Sequence, residues 1–149
     1  MTIKELKLGK FKGKDIDYIS KKICGKHIGS GFSRDVYELK DNPRYVVKIE
    51  KYPEEGNFCN AQEWRNWIDC YGWLKEWLCP CIMINETGQV LIQKKVRFLD
   101  KSKYPNRIPN IFSDLKYKNG GFIGNRFVFV DYPSFILTSP RMKKAKWWE

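Results

Sequence analysis

The stretch that begins at Asp114 and ends at Asp131 constrains this chain most, because it predicts a tight hairpin with polar side chains at both ends. Asp114, Lys116 and Asn119 fall within six residues, and three glycines then precede an apolar run at 127–130 that leads into Asp131. Glycines favour turns, and such an apolar run favours a β-strand. Mg²⁺ takes one or two protein oxygens and completes its shell with water and phosphate. The stretch therefore predicts a metal and phosphate site, with Asn119 and Asp131 as metal ligands and Asp114 to orient a hydroxyl.

The first six residues of this stretch, Asp-Leu-Lys-Tyr-Lys-Asn, resemble the catalytic loop of protein kinases, Asp-Leu-Lys-x-x-Asn, with the Asp, Lys and Asn at the same offsets. The family carries Asp-Phe-Gly where this chain has Asp131-Tyr-Pro. The resemblance implies that Asp114 and Lys116 are catalytic and that Asn119 and Asp131 bind the metal. A polar loop between two strands is the alternative interpretation, because short motifs also match by chance.

A second motif lies upstream, where Gly29-Ser-Gly-Phe-Ser-Arg-Asp-Val resembles the phosphate loop of the same family, Gly-x-Gly-x-x-Gly-x-Val, with Arg34 in place of the third glycine. The backbone N–H groups of such a turn can approach phosphate oxygens without a Cβ in the way. Lys48 matches the lysine that holds the α and β phosphates, and Glu63 follows 15 residues later as the glutamate that pairs with it. The nucleotide contacts that the resemblance implies in this turn are Gly29, Ser30, Gly31, Phe32, Ser33 and Val36.

The segment 90–96 is similar to the hinge that holds the adenine base in that family. The resemblance places Ile92 at the back of an adenine pocket and gives the backbone from Gln93 to Lys95 the hydrogen bonds to the base. The motifs follow one another in the family's order, so together they imply a protein-kinase-like domain that binds ATP and Mg²⁺.

The predicted fold is α+β, with about five antiparallel strands and one long helix as in the small lobe of a kinase, plus a minimal catalytic hairpin. Apolar and aromatic residues recur at steps of three and four over 60–78, which predicts the long helix, with Gly72 as a possible break. A shorter helix is predicted at 15–23, with Asp15 as its cap. Few residues follow Asp131, so the large lobe is expected to be mostly absent.

One minimal domain is predicted, and compact kinase-like proteins of this shape resemble products of bacterial viruses. We expect residues 135–137 to fold back over apolar surface that the missing lobe leaves, and the basic tail with Trp147 and Trp148 to recruit an acidic partner. The predicted divisions are an arm and helix at 1–25, the small lobe at 26–96, the catalytic and metal loops at 97–135, and the basic aromatic tail at 136–149.

The formal net charge of +11 admits anionic partners, namely nucleotide, nucleic acid, acidic protein or a membrane surface. Five cysteines are an odd number without zinc spacing, which favours reduced thiols and a cytoplasmic protein. The first 25 residues contain no apolar core of a signal peptide, and no run is long enough to span a membrane, so we expect neither export nor insertion into a bilayer.

The favoured function is an ATP- and Mg²⁺-dependent phosphotransferase that acts on a protein hydroxyl, with Lys48 and Lys116 on the phosphates. A degenerate kinase-like protein that binds and inhibits a host or partner protein is the alternative. Nucleic-acid binding through the positive charge and Trp147-Trp148 is a third possibility. The lone His27 is predicted to be a strand residue rather than a catalytic base.

Overall fold

The computed structural model describes residues 1–56, 58–70, 72–134 and 140–149. Within those residues the architecture is α+β, as predicted. The strands are β1 Cys24–Ser30, β2 Arg34–Leu39, β3 Asn42–Glu50, β4 Cys81–Ile84, β5 Val90–Lys94, β6 Arg107–Pro109, β7 Gly120–Ile123, β8 Arg126–Phe129 and β9 Met142–Lys144. They form a five-stranded antiparallel sheet in the order β1-β2-β3-β5-β4 and two small two-stranded sheets, β6-β9 and β7-β8. The helices are α1 Ile16–Ile23, α2 Cys59–Asp69 and short 3₁₀ helices at Leu8–Phe11, Pro53–Glu55, Gly72–Trp77, Lys101–Lys103 and Tyr117–Asn119.

The centre of the large sheet is the pair β3 and β5, in which Val47 lies opposite Ile92 and Lys48 lies opposite Leu91. Successive side chains of a strand point to opposite faces. Val47 and Ile92 therefore face one core, whereas Lys48 and Leu91 face the other side, where α2 packs. This alternation decides which residues of β3 and β5 can reach a site on the α2 side.

The first core joins the N-terminal segment and α1 to the sheet. Asp15 caps α1 as predicted, because its carboxylate accepts a hydrogen bond from the Tyr18 amide at 2.8 Å. Ile19 and Ile23 of that helix are buried, and so are Leu6 and Leu8, which pack into the same cluster. The segment predicted as an N-terminal arm is thus packed against the sheet, because these two leucines give it an apolar face to bury.

The helix predicted over 60–78 is not continuous, and the interruption lies next to Gly72, the break that the sequence suggested. Helix α2 ends at Asp69, Cys70 has an extended backbone, and Gly72 takes a φ of 67°, which a continuing right-handed helix cannot accommodate. The apolar stripe continues only as a 3₁₀ helix. The part that does form carries Asn60 and Glu63 into the interior, both with no exposed surface.

The second core is aromatic and lies under the hairpin of β7 and β8. Tyr104, Phe127 and Phe129 are buried there, and Trp147 of the tail packs against them with its indole N–H donating to the Pro105 carbonyl at 2.9 Å. Strand β9 of the tail pairs with β6. The C-terminal tail therefore covers apolar surface, and Trp147 is not available to stack on a nucleic-acid base. The predicted fold-back of residues 135–137 lies outside the described residues.

None of the helices in the described parts of the chain is long and apolar enough to cross a membrane.

Candidate functional site

A cleft of about 430 Å³ lies between the large sheet and the hairpin of β7 and β8. Its sheet wall comprises the turn between β1 and β2, Lys48 of β3 and the end of β5. Its opposite wall comprises Lys118 and Asn119 of the Tyr117–Asn119 turn together with Val130 and Asp131, which follow β8. The cleft brings together most of the residues predicted from the kinase-like motifs: Gly29, Ser30, Gly31, Phe32, Ser33, Val36, Lys48, Gln93, Lys95, Asn119 and Asp131.

The glycine turn at the edge of the cleft is held by its own backbone. The Gly31 amide donates to the Arg34 carbonyl at 2.9 Å, and the Ser30 hydroxyl donates to the Asp35 carboxylate. That hydroxyl bond is the main cause that lowers the pKa of Asp35; burial opposes it, and a hydrogen bond from His27 and the charge of Lys51 add smaller effects. A Cβ added at Gly29 would meet nothing within 4 Å. Packing therefore does not require glycine there, and the turn leaves open space beside its backbone.

The predicted ion pair between Lys48 and Glu63 is confirmed. The Lys48 ammonium lies 2.6 Å from Glu63 Oε1, and the two residues are 5% and 0% exposed. The same ammonium also donates to the Val130 carbonyl at the end of β8. Lys48 thus connects the sheet, α2 and the opposite wall of the cleft at a single charged atom.

Arg34 is the residue of this site that sequence reasoning missed. Its Nη2 lies 2.9 Å from Glu63 Oε2 and 2.7 Å from Asp131 Oδ1, and its Nη1 donates to Asn60 Oδ1 at 3.1 Å. The side chain is only 7% exposed, although Arg34 lines the cleft. The signal in the sequence was the replacement of a motif glycine by a charged residue, which the motif comparison treats only as a departure.

The neighbours of Glu63 and Arg34 favour the charged forms of both side chains. Burial alone would raise the pKa of Glu63, but the positive charges of Lys48 and Arg34 together hold it below its ordinary value. Burial likewise opposes the charge of Arg34, and the carboxylates of Glu63 and Asp131 outweigh that effect and raise its pKa. Lys48, Arg34, Glu63 and Asp131 therefore form a network of two cations and two anions beside the cleft.

The predicted metal ligands Asn119 and Asp131 both line the cleft. The Asp131 side chain is 46% exposed, and the Asn119 amide group donates to the Asp114 backbone carbonyl at 3.3 Å. The described residues contain no group of three or more His, Cys, Asp or Glu side chains that could hold a metal ion. One carboxylate and one carboxamide suit Mg²⁺ that is bound mainly through phosphate and water, but not a metal that is held by protein alone.

Lys116 and Asp114, both predicted to be catalytic, do not line the cleft, unlike most of the residues predicted from the sheet. Lys116 lies 5.0 Å from the centre of the Trp148 ring, and that lysine does not line the cleft. The reason is that the tail pairs with this loop: the Trp148 amide donates to the Leu115 carbonyl at 3.0 Å. Lys118 lines the cleft instead. Asp114 is exposed and also lies outside the residues that line the cleft, with only its carbonyl joined to Asn119.

The predicted hinge is partly wrong. Ile92 does not reach the cleft, because it is fully buried in the core on the opposite face of the sheet. The amides of Lys94 and Lys95 donate to the Pro80 and Arg44 carbonyls at 3.0 and 2.9 Å, so these two N–H groups are not directed at a ligand. The cleft continues instead along Val96 and Phe98, and the latter side chain is 62% exposed.

Two cysteines near the cluster are unsuited to thiolate chemistry. Burial raises the pKa of Cys79 and of Cys81 to about 12, so both stay protonated at neutral pH. Neither of these two thiols is therefore a candidate nucleophile of this site.

No protein-family model and no curated protein matches this chain.

Proposed function

We propose that the cleft binds ATP with Mg²⁺ and that the protein is a phosphotransferase of the protein-kinase type, acting on a protein hydroxyl. The observation that carries the proposal is the buried Lys48–Glu63 pair, which faces a cleft that also contains the glycine turn, Asn119 and Asp131. An ammonium held by a buried carboxylate is a fixed positive charge, and fixed charges bind phosphates without reorganisation.

The order of the elements supports the same proposal. The glycine turn joins β1 and β2, Lys48 lies in β3, and Glu63 lies on the helix that follows β3. This order resembles the small lobe of a protein kinase, with the hairpin of β7 and β8 standing for the catalytic and metal loops. We therefore assign the chain a kinase-like small lobe with a reduced catalytic hairpin.

Each residue has a role that follows from its place in the cleft. The amides of the glycine turn and the Lys48 ammonium bind the α and β phosphates. Asp131 and Asn119 would hold Mg²⁺, whose charge offsets the negative charge that develops on the transferred group. Lys118, rather than Lys116, neutralises the γ-phosphate. The Asp114 carbonyl accepts a hydrogen bond from the Asn119 side chain, and the exposed Asp114 carboxylate orients the acceptor hydroxyl that approaches from outside the cleft.

A thermal titration tests nucleotide binding. ATP with Mg²⁺ at about a hundredfold excess over its dissociation constant raises the stability of the native state by about 2.7 kcal/mol and shifts the melting temperature upward. Lys48→Met should abolish that shift. Lys26→Ala is the matched control, because Lys26 is an exposed lysine of the same sheet that does not line the cleft. An unchanged melting temperature of the native protein at millimolar ATP and Mg²⁺ would refute the proposal.

A binding protein without turnover, which engages a host or partner protein, is the second candidate. The observation that favours it is that Asp131 is already paired with Arg34 and that Lys116 lies against Trp148 instead of the cleft. Incubation with γ-labelled ATP, Mg²⁺ and cell lysate separates the two functions. Transfer of label that disappears in Asp131→Asn supports the phosphotransferase, whereas a nucleotide-dependent thermal shift without any transfer supports the binding protein.

A further inference from the structure

We propose that Arg34 is a phosphate ligand and that the Asp131 carboxylate covers it. When a triphosphate binds in the cleft, Arg34 supplies the positive countercharge. Triphosphate binding therefore depends less on a divalent metal than it would in a cleft whose aspartate had no cationic partner. The inference rests on the proposed function only in taking a polyphosphate as the ligand. It concerns a residue for which the kinase-like motifs have no role, because the motif has glycine at that position.

The geometry of Arg34 gives the first step. Its guanidinium contacts the fully buried Glu63 on one side and the half-exposed Asp131 on the other, and both contacts use Nη2. Asp131 is the partner on the side of the cleft. If the Asp131 carboxylate turned away, the guanidinium would be exposed to the cleft while still anchored to Glu63 and Asn60.

The charges give the second step. With Asp131 in place, Arg34 and Lys48 are ion-paired with two carboxylates, Glu63 and Asp131. When Asp131 leaves, the two cations share one ion-pair partner, Glu63. The nearby Glu50 accepts from the Asn60 amide and forms no ion pair with either cation in the described residues, and burial raises its pKa. An uncompensated charge in a buried site is costly, so an anion from the cleft is drawn to it. A phosphate group suits this position, since its oxygens match the planar fork of a guanidinium.

Competition for Asp131 gives the third step. Arg34 contacts Oδ1 of Asp131, and a carboxylate has two oxygens, so the competition is electrostatic: the guanidinium charge disfavours a second cation on the same carboxylate. A triphosphate can therefore enter in two ways. With metal, Asp131 moves from Arg34 to Mg²⁺. Without metal, the triphosphate itself takes the place of Asp131 on Arg34.

Lys48 alone cannot supply the positive charge that a triphosphate needs when it binds without metal. Its ammonium already donates to Glu63 and to the Val130 carbonyl, and it stays buried at 5% exposure. Lys118 is exposed and lies on the opposite wall of the cleft. Arg34 is the cation of the sheet wall that lies directly behind an aspartate of the cleft.

The test is calorimetric titration of inorganic tripolyphosphate, first in EDTA and then in Mg²⁺, into the native protein and three variants. These are Arg34→Gln, Asp131→Asn and the double variant, with Arg44→Gln as a control because Arg44 is exposed and outside the cleft. We expect the native protein and the control to bind without metal. We expect Arg34→Gln to weaken that metal-free binding by about tenfold, the effect of one charge-assisted hydrogen bond.

Asp131→Asn keeps the inference testable if Arg34→Gln does not fold, because it leaves Arg34 in contact with Glu63. It should tighten metal-free binding by about tenfold, since the cover of Arg34 is released. That gain should shrink in the double variant, because no guanidinium remains to be uncovered. Equal gains in both backgrounds, or metal-free binding that Arg34→Gln leaves unchanged, would overturn the inference, as would a native protein that binds tripolyphosphate only with Mg²⁺.

A parallel titration with ATP separates this inference from the proposed function. Tripolyphosphate binding that follows the expected pattern, without ATP binding or phosphoryl transfer, overturns the proposed function and supports the role of Arg34. ATP binding that Arg34→Gln leaves unchanged supports the proposed function and overturns the role of Arg34.

Discussion

The two walls of the cleft are built in different ways. The sheet wall is part of a continuous hydrogen-bonded ladder, and its Lys48 is buried and paired with Glu63 of α2. The opposite wall is a 3₁₀ turn followed by a two-stranded hairpin, and its aspartate, Asp131, is half exposed. A ladder fixes the direction of each side chain by alternation, whereas a turn takes its geometry from whatever packs against it. The difference teaches that substitutions of the buried, paired charges behind the sheet wall act first on stability, whereas substitutions of the exposed charges of the opposite wall act first on binding.

The largest effect should come from Glu63→Gln. This change leaves Lys48 and Arg34 without their shared buried carboxylate, and removing one partner of a buried ion network costs about 3–5 kcal/mol. Denaturant unfolding measures the loss. Glu76→Gln is the control, because Glu76 is an exposed glutamate near the same helix. A loss no larger than that of the control would show that the network does not hold the sheet wall.

The pH dependence of stability gives a second readout of the same substitution. The folded-state pKa of Glu63 is lowered, so its contribution is present above its ordinary value of 4.5 and is lost as pH falls through the lower folded-state value. Acid unfolding of the native protein should therefore be steeper below about pH 4.5 than that of Glu63→Gln. Parallel acid profiles would contradict the assignment.

The next largest effect should separate the two tryptophans of the tail. Trp147 packs in the aromatic core and donates to Pro105, so Trp147→Ala should cost about 3 kcal/mol, near the lower limit for a buried tryptophan. Trp148 is 45% exposed, and the Lys116 ammonium lies over its ring face. Trp148→Ala should therefore cost less than about 1 kcal/mol. Truncation after residue 139 should then destabilise the fold as well. Equal losses for the two tryptophans would show that Trp147 does not anchor this wall.

Much of the sheet wall could be predicted from sequence, because the determinants are local. The glycine turn and the cap at Asp15 each depend on neighbouring residues, and each lies where it was predicted. The resemblance to the kinase motifs also identified Glu63 as the partner of Lys48.

The failures have long-range causes. Lys116 is drawn to Trp148, which lies 32 residues further along the chain, and no local pattern encodes that contact. Arg34 contacts Asp131 across 97 residues. Ile92 was misplaced by a single step of the strand, because a motif comparison carries no register and one residue decides which face a side chain takes.

Alanine substitutions of one glycine from each wall sharpen the comparison, because we expect one of them to lower the free energy of unfolding by about 1–3 kcal/mol. A Cβ at Gly121 would lie 2.8 Å from Val96 Cβ and 3.2 Å from the Arg97 carbonyl oxygen, which cannot move aside easily. Gly121→Ala should therefore destabilise the protein by that amount. Gly29→Ala meets open space and should change the free energy of unfolding by less than about 0.5 kcal/mol while weakening ATP binding. A folding defect in Gly29→Ala would show that the turn is a packing element rather than a ligand surface.

The smallest effect should distinguish the two lysines of the opposite wall. Lys118 lines the cleft and Lys116 does not, so Lys118→Ala should weaken ATP binding by about two- to fivefold, as expected for one exposed charge, and Lys116→Ala should leave it unchanged. Calorimetric titration of both variants measures the difference. The reverse order would restore the role that the kinase motif implies for Lys116.

The most direct test of the central claim is a map of backbone amide shifts during titration of the nitrogen-15-labelled protein with ATP and Mg²⁺. Binding in the cleft predicts saturable shifts in both walls, at residues 29–36, 93–98, 118–119 and 130–131, that are lost in Lys48→Met. Shifts confined to the basic tail at 141–146, or no shifts at millimolar ATP, would contradict the claim that this cleft is a nucleotide site.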